Sequence, residues 1–202
     1  MEITLRILCL AAGILFGSFL TAEYVARRLM GRTARDLGSG NPGMANIMAT
    51  LGKGPGFAVL AGDAAKTVLV CALCRFAIAP QLGHTALLYA GAGAILGHNY
   101  SLFHKGCGGK GVAVTCTWLI LDLPVTGALC CLAGGFAVLV WGYLPLGAVL
   151  IPALAVPVAF VQYGAESGIV TLLAAAMMLW RHRNGLRRIY SGEEKRFFRP
   201  KS

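Results

Sequence analysis

The stretch PVTGALCCLAGGFAVLVW, Pro124 to Trp141, contains no charged residue. A crossing of the hydrocarbon core needs roughly 20 apolar residues, and backbone exposed to lipid must satisfy its own hydrogen bonds, so the run reads as a transmembrane helix. Working outward, similar apolar runs occupy Thr4 to Tyr24, Pro55 to Phe76, Thr85 to Phe103, Val112 to Leu121, Pro145 to Tyr163 and Ile169 to Trp180. Apolar residues make up 57% of the 202-residue chain and charged residues 13%, with a mean hydropathy of +0.70. That leaves too little polar surface to coat a water-soluble globule. The sequence predicts an all-α, polytopic membrane protein of about seven transmembrane helices, with six or eight as the neighbouring solutions. The runs from Val112 and from Ile169 are short and must borrow their flanks, tilt little or be shielded by neighbours. No repeat is visible and the longest segment between spans, Ala26 to Gly54, is too short for its own core, so residues 1–202 read as a single integral-membrane domain, with 183–202 as a basic tail.

Charge orients this array. With the N-terminus outside, the inner segments hold fifteen of the eighteen Lys and Arg residues: five in Ala26 to Gly54, two in His104 to Gly111 and eight from Arg181 onward. Cationic excess marks the cytoplasmic side, so the C-terminus is expected there and the formal net charge of +10 is largely topological. The tail shows no nucleic-acid-binding pattern, and contact with anionic headgroups is the expected role of its charge. The first run is followed by Arg27 and Arg28 with no small-residue cleavage site, which favours an uncleaved span. Six of the seven cysteines fall inside predicted spans, where they act as small apolar fillers; Cys71 and Cys74 lack the second ligand pair that a metal site needs. No metal site is expected.

Two glycine-rich segments interrupt the apolar chain on the same predicted face, GSGNPGMAN (Gly38 to Asn46) and GCGGKG (Gly106 to Gly111). Short glycine loops turn several backbone N–H groups toward one point and make an anion cradle. The first matches G-x-G-x-x-G, but no strand precedes it, so a dinucleotide site is excluded. Gly38, Gly40 and Gly43 allow crowded backbone; Ser39, Asn41 and Asn46 add neutral donors; and a helix starting near Ala45 points its positive end at the same place. A helix-capping turn is the competing reading of this cluster. In the second segment Lys110 lies between Gly109 and Gly111, as a phosphate ligand would, with Gly108 beside it. His98, near the inner end of the third span, is either a base for a hydroxyl or an imidazole bonded to backbone. Asp63 and Lys66 lie one turn apart inside the second span, where ionisable groups face the bundle interior and serve function or pair structurally.

Together these strings resemble the bacterial acyl-phosphate:glycerol-3-phosphate acyltransferases, small seven-span inner-membrane enzymes. The family's first motif, GSGN-x-GATNVLR-x-LGK, stands here as GSGNPGMANIMATLGK; its D-x-x-K is Asp63 and Lys66; its GH-x-FP-x-F and GGKGVAT are GHNYSLF and GGKGVAV; and its RHR tail is Arg181 to Arg183. The likeness runs over nearly the whole chain in order. It implies transfer of a fatty acyl group from an acyl-phosphate to a hydroxyl of glycerol 3-phosphate, in the bacterial inner membrane. No cofactor is implied, because the mixed anhydride is already activated. On this resemblance Gly38, Gly40, Asn41 and Gly43 hold the donor phosphate with Gly108 and Gly109. Ser39 and Asn46 bond the reacting oxygens, Lys110 neutralises phosphate charge, and His98 or the substrate's own phosphate takes the hydroxyl proton. Asp63 and Lys66 are assigned to the substrate site as well.

The chain departs from the pattern at Ala49, where the family carries an arginine thought to grip the glycerol 3-phosphate phosphate, and at Ala45. It departs again at Gly142 and Pro145, in a degraded third motif, and at Gly185. The departures imply altered acceptor recognition, for which Arg35 or Lys53 are substitute cations, and keep open an alternative: a non-catalytic or altered-acceptor relative that binds a phosphate-bearing lipid or metabolite. The topology has a direct check. Cys107 belongs to an inner loop, so a membrane-impermeant thiol reagent is expected to spare it in intact cells and to label it in inverted vesicles; labelling in intact cells overturns the orientation.

Overall fold

The computed structural model describes residues 1–197, and among these the chain is helical with no β-strand. Its α-helices are α1 (Glu2–Gly17), α2 (Thr21–Met30), α3 (Met44–Leu51), α4 (Lys53–Leu73), α5 (His84–Asn99), α6 (Val112–Asp122), α7 (Pro124–Trp141) and α8 (Leu144–Tyr190). Four helical segments are long and apolar enough to cross a membrane by length and composition: Glu2–Met30, Lys53–Ile78, Pro124–Trp141 and Leu144–Tyr190. The protein is therefore an all-helical, multi-pass membrane protein.

Several boundaries differ from the sequence reading for identifiable reasons. The run Thr4 to Tyr24 is two helices, because Leu20 is extended (φ −101°, ψ 102°) and the Ser18 hydroxyl donates to the Ile14 carbonyl at 2.7 Å. The third run ends at Asn99 instead of Phe103, and Leu102–His104 forms a separate 3-10 turn. The last two runs are arms of α8, whose regular backbone is interrupted only at Gly164 (φ 81°, ψ −170°), a conformation that glycine adopts without a Cβ clash. Pro152 and Pro157 lie within the first arm. The second arm stays helical to Tyr190, so the first part of the expected tail over 183–202 extends a helix, and residues 198–202 lie outside the described residues.

The chain divides into two compact units, Met1 to Trp118 and the remainder from Leu119. In the first, α1 and α5 meet backbone to backbone through glycine. A Cβ on Gly13 or Gly17 would strike the carbonyls of Ala90 or Ala94, and one on Gly93 or Gly97 would strike those of Leu10 or Ile14. Small residues permit this close approach in lipid, where helices gain little from hydrophobic burial against one another. Gly91 instead makes room for the Trp118 indole. Beneath the first glycine loop, Ala22, Ala26, Ala34, Leu37, Ile47 and Val59 form a buried cluster that seats α2, α3 and α4 together. In the second unit, Gly134 and Gly147 pack α7 against α8, Gly135 faces open space, and Phe197 N–H donates to the Gly142 carbonyl at 2.8 Å.

The α1–α5 contact yields a test. A methyl group added at Gly93 lies 3.0 Å from the Gly13 Cα, and overpacking of this kind costs about 1–3 kcal/mol. Gly93→Ala is expected to lower the melting temperature in detergent, whereas Gly135→Ala, with open space around it, leaves it unchanged or raised.

Candidate active site

The first glycine loop is held from below. Glu23, buried on α2, accepts the Ala34 N–H at 3.0 Å. Thr33 and Asp36 form a reciprocal cap in which the Thr33 hydroxyl and N–H both donate to the Asp36 carboxylate, at 2.8 and 3.1 Å. Those two bonds, the hydroxyl first, hold the Asp36 carboxyl below the ordinary carboxylate range. Asn46, 4% exposed, then clamps the loop itself: its amide donates to the carbonyls of Ala34 (3.1 Å) and Leu37 (3.0 Å) and accepts the Ser39 N–H (2.8 Å). Gly38 (φ 49°) and Gly40 (φ 73°) adopt the left-handed backbone this turn requires, and Gly40 N–H closes onto the Leu37 carbonyl at 2.9 Å. Ser39 is exposed at the tip. Helix α3 begins at Met44 with no side chain capping its N-terminus, as the sequence placed it.

The second loop hangs from α1 and α5. The Ser101 hydroxyl donates to the Ser18 carbonyl at 2.6 Å, and Leu102 N–H donates to the Ser18 hydroxyl at 3.1 Å. Because the single Ser101 proton goes to Ser18, its oxygen accepts from His104 Nδ1–H at 2.9 Å, and burial pushes the His104 imidazole down from its ordinary pKa. Gly109 N–H donates back to the His98 carbonyl at 3.0 Å. A Cβ on Gly108 would strike that same carbonyl, and one on Gly109 would strike His98 Nε2 while lying 3.1 Å from the Pro42 carbonyl.

The two loops therefore meet at Pro42 and Gly109, with His98 Nε2 at the junction. Arg35 ties them a second time. Its guanidinium donates to the carbonyls of Cys107 and His104, the latter at 3.4 Å, and lies 3.7 Å from the Glu23 carboxylate. Lys110 is half-buried in the second loop. The junction thus brings loop backbone beside the start of α3, whose N-terminus carries no side-chain cap.

Below it lies a buried ionic cluster. Lys66 Nζ is 3.0 Å from Asp63 Oδ1 and 2.9 Å from His98 Nδ1, and it also donates to the carbonyls of Gly17 (3.1 Å) and Phe19 (2.6 Å). Thr21 donates to Asp63 Oδ1 at 3.1 Å. Asp63 and Lys66 are 2% and 6% exposed, and their contacts run to one another, to Thr21, to His98 and to the end of α1. The Asn46 amide hydrogens go to the loop carbonyls of Ala34 and Leu37. Arg35, offered as a substitute for the absent arginine, is bound up in the loop junction, while Lys53 is exposed in the first turn of α4. Sequence reasoning missed Glu23, Thr21, Ser18 and Ser101. A glutamate in an otherwise apolar helical run was the one signal available for any of them.

Comparison with known proteins decides the family. The family model described as glycerol-3-phosphate acyltransferase matches residues 7–192. The chain belongs to the glycerol-3-phosphate acyltransferase family. It is 31% identical to glycerol-3-phosphate acyltransferase 1 of Lactobacillus johnsonii, over 93% of this chain and 90% of that one. To the glycerol-3-phosphate acyltransferase of Shouchella clausii it is 36% identical, over 91% and 92% of the two chains. Among solved structures it is similar to PlsY, an integral membrane glycerol 3-phosphate acyltransferase. In that protein's glycerol 3-phosphate form the TM-score is 0.82 at 28% identity, covering 95% of each chain. In its lysophosphatidic acid form the TM-score is 0.79 at 26% identity, covering 95% and 94%.

Within the family pattern, two of this chain's departures are neighbours. A Cβ on Gly185 would lie 2.6 Å from Pro145 Cγ, so these two positions stand against each other. Ala49 lies exposed on α3, one turn beyond Asn46.

Proposed function

We propose that this protein transfers a fatty acyl group from an acyl-phosphate to a hydroxyl of glycerol 3-phosphate, at the cytoplasmic face of a bacterial inner membrane. The acceptor and the reaction class follow from family membership. The observation that supports the donor is the meeting of the two glycine loops at Pro42 and Gly109, beside the uncapped start of α3, with the exposed Ser39 and the half-buried Lys110 in the same loops. The acyl chain lies among the apolar helix faces.

In this reading Gly38, Gly40, Asn41 and Gly43, with Gly108 and Gly109, cradle the donor phosphate, and Lys110 neutralises its charge. Asn46 positions the loop so that Ser39 faces the reacting oxygens. The glycerol hydroxyl oxygen attacks the acyl carbonyl carbon and forms the ester bond. The carbon–oxygen bond to phosphate then breaks, with its electron pair leaving on phosphate. The hydroxyl proton passes to a neighbouring base, His98 or a substrate phosphate oxygen, and the products are acyl-glycerol 3-phosphate and inorganic phosphate. The anhydride is activated before it arrives, so the work of the protein is positioning and charge stabilisation. A non-catalytic role is not favoured, because the relatives are named as acyltransferases and Ser39, His98 and Lys110 are all retained.

The reading is tested with purified protein and palmitoyl phosphate. Phosphate release is expected to depend on added glycerol 3-phosphate; no release, or release indifferent to the acceptor, counts against it. Lys110→Ala is expected to lower turnover about a hundredfold, since loss of a charge-assisted phosphate contact in a dry site costs roughly 3 kcal/mol. Wild-type turnover in a folded variant sinks the cradle.

Ala49 supplies the second prediction. An alanine makes no planar, paired contact with a phosphate, so Ala49→Arg is expected to lower the KM for glycerol 3-phosphate about tenfold with little change in kcat. An unchanged KM shows that another cation, Lys53 foremost, already holds the acceptor.

A further inference from the structure

Four buried polar atoms lie along one seam beneath the second glycine loop with no hydrogen-bond partner among the described residues: Asn99 Oδ1 and Nδ2, Thr115 Oγ1 and Trp118 Nε1. Asn99 and Trp118 are fully buried and Thr115 is 1% exposed. Gly111, Thr115 and Trp118 are spaced i, i+4, i+7, which puts them on one face of α6 and the turn that starts it. The Thr115 N–H closes that turn on the Gly111 carbonyl at 2.8 Å. Both ends of the face touch α5. A Cβ on Gly111 would lie 2.7 Å from Asn99 Oδ1, and one on Gly91 would run into the Trp118 indole. Thr115, between them, therefore faces α5 as well. A carboxamide, a hydroxyl and an indole N–H buried in a membrane bundle are costly unless something bonds them.

We propose that this seam is a water-binding site, a short file of ordered water molecules held by Asn99, Thr115 and Trp118 between α5 and α6. The side chains select the ligand. Asn99 both donates and accepts, Thr115 does either, and Trp118 only donates, so the ligand must offer lone pairs and a proton of its own. None of the three is charged, which leaves an ion without a counter-charge, and full burial at a helix–helix contact admits little more than one heavy atom at a time. Water meets these conditions, whereas cavities that stay dry are lined by apolar groups. One molecule bridges Asn99 and Thr115, and a second bridges Thr115 and Trp118. The site bears on the reaction through its upper end. A Cβ on Gly108 would lie 2.8 Å from the Asn99 carbonyl carbon and oxygen, and Gly111 abuts the Asn99 side chain, so the glycines that bracket Gly109 and Lys110 rest on this one residue. Water bonded to the carboxamide fixes that platform and makes Asn99 a positioning residue for Lys110. This consequence rests on the proposed function, in which Lys110 neutralises the donor phosphate.

A crystal structure of the full chain, at a resolution that shows ordered water, decides occupancy. Water within hydrogen-bonding distance of both Asn99 and Thr115 is expected; side chains that bond one another or the backbone directly, with no water between them, overturn the inference. Stability in detergent gives a second reading. Valine matches threonine in shape, so Thr115→Val removes the hydroxyl and little else. Loss of a hydroxyl that nothing bonds leaves the melting temperature unchanged or raised, whereas loss of a water ligand lowers it. Thr115→Val and Asn99→Leu are each expected to lower it, the double variant losing less than the sum because both side chains hold the same water, with Thr115→Ser close to native. An unchanged or raised melting temperature in Thr115→Val overturns the water site. In turnover, Asn99→Leu is expected to raise the KM for palmitoyl phosphate about tenfold and to leave that for glycerol 3-phosphate within about twofold. A general loss of structure moves both constants, and an unchanged donor KM overturns the positioning role. If Asn99→Leu does not fold, Thr115→Val is expected to show the same donor-selective rise, and its absence overturns that role equally. The crystal structure and the melting curves require no turnover, so a protein inactive toward palmitoyl phosphate overturns the acyl-phosphate reading while the water site is judged independently.

Discussion

A single ammonium group inside the helical bundle organises the first unit. Lys66 projects from α4 to the point where α1 stops and α2 has not begun, and there it satisfies the carbonyls of Gly17 and Phe19. Carbonyls at a helix end lack intrahelical partners and carry the negative end of the helix dipole, so a cation is well placed there. A lysine in a membrane bundle is costly unless its charge is balanced, and Asp63, one turn away at 3.0 Å, supplies the balance. The same ammonium reaches His98 on α5. Three elements are thus referred to one charge, and the loops that emerge from them inherit its position.

Around this point the packing is unusually close for a reason that is chemical and not only steric. Glycines on α1 and α5 let two backbones approach until carbonyls face Cα atoms, which brings Ser18 within reach of Ser101 and suspends the second glycine loop from the end of α1. Glu23 performs the matching task for the first loop by holding Ala34 N–H, with Arg35 extending the link across to the carbonyls of Cys107 and His104. Backbone donors in flexible glycine segments hold an anion only when something rigid fixes their direction. Here that rigidity comes from buried side chains committed to the loop backbone, Asn46 foremost.

Of the departures from the family pattern, Ala49 is exposed on α3, whereas Gly142, Pro145 and Gly185 are buried in the second unit. Ala49 removes a long cationic side chain from an exposed helical position without disturbing the Asn46 clamp three residues before it. In the second unit, Pro145 and Gly185 stand in close contact, where a Cβ on Gly185 would meet the proline ring. The supporting residues Asp63, Lys66, His98 and Asn46 are all retained, as expected if altering them would leave a buried charge or carbonyl unsatisfied.

Much of this architecture was legible in the residues. Long uncharged runs dictate helices because lipid offers backbone no other partner. Glycine strings with Ser39, Asn41 and Lys110 predicted two tight loops, and the left-handed backbone at Gly38, Gly40, Gly106 and Gly111 is of that kind. What sequence order alone could not specify was which polar residues face the crevice and which face inward. Asn46, Asp63 and Lys66 look like ligands in one dimension. In three dimensions their hydrogen bonds are committed to Ala34, Leu37, Ser39, Gly17, Phe19 and His98, residues up to 49 positions away. The break at Ser18 to Leu20 inside an apolar run, and the orientation of His98 between a lysine and a glycine, were decided by tertiary structure. A hydrogen bond between distant segments depends on where packing brings them, and no local pattern encodes that distance.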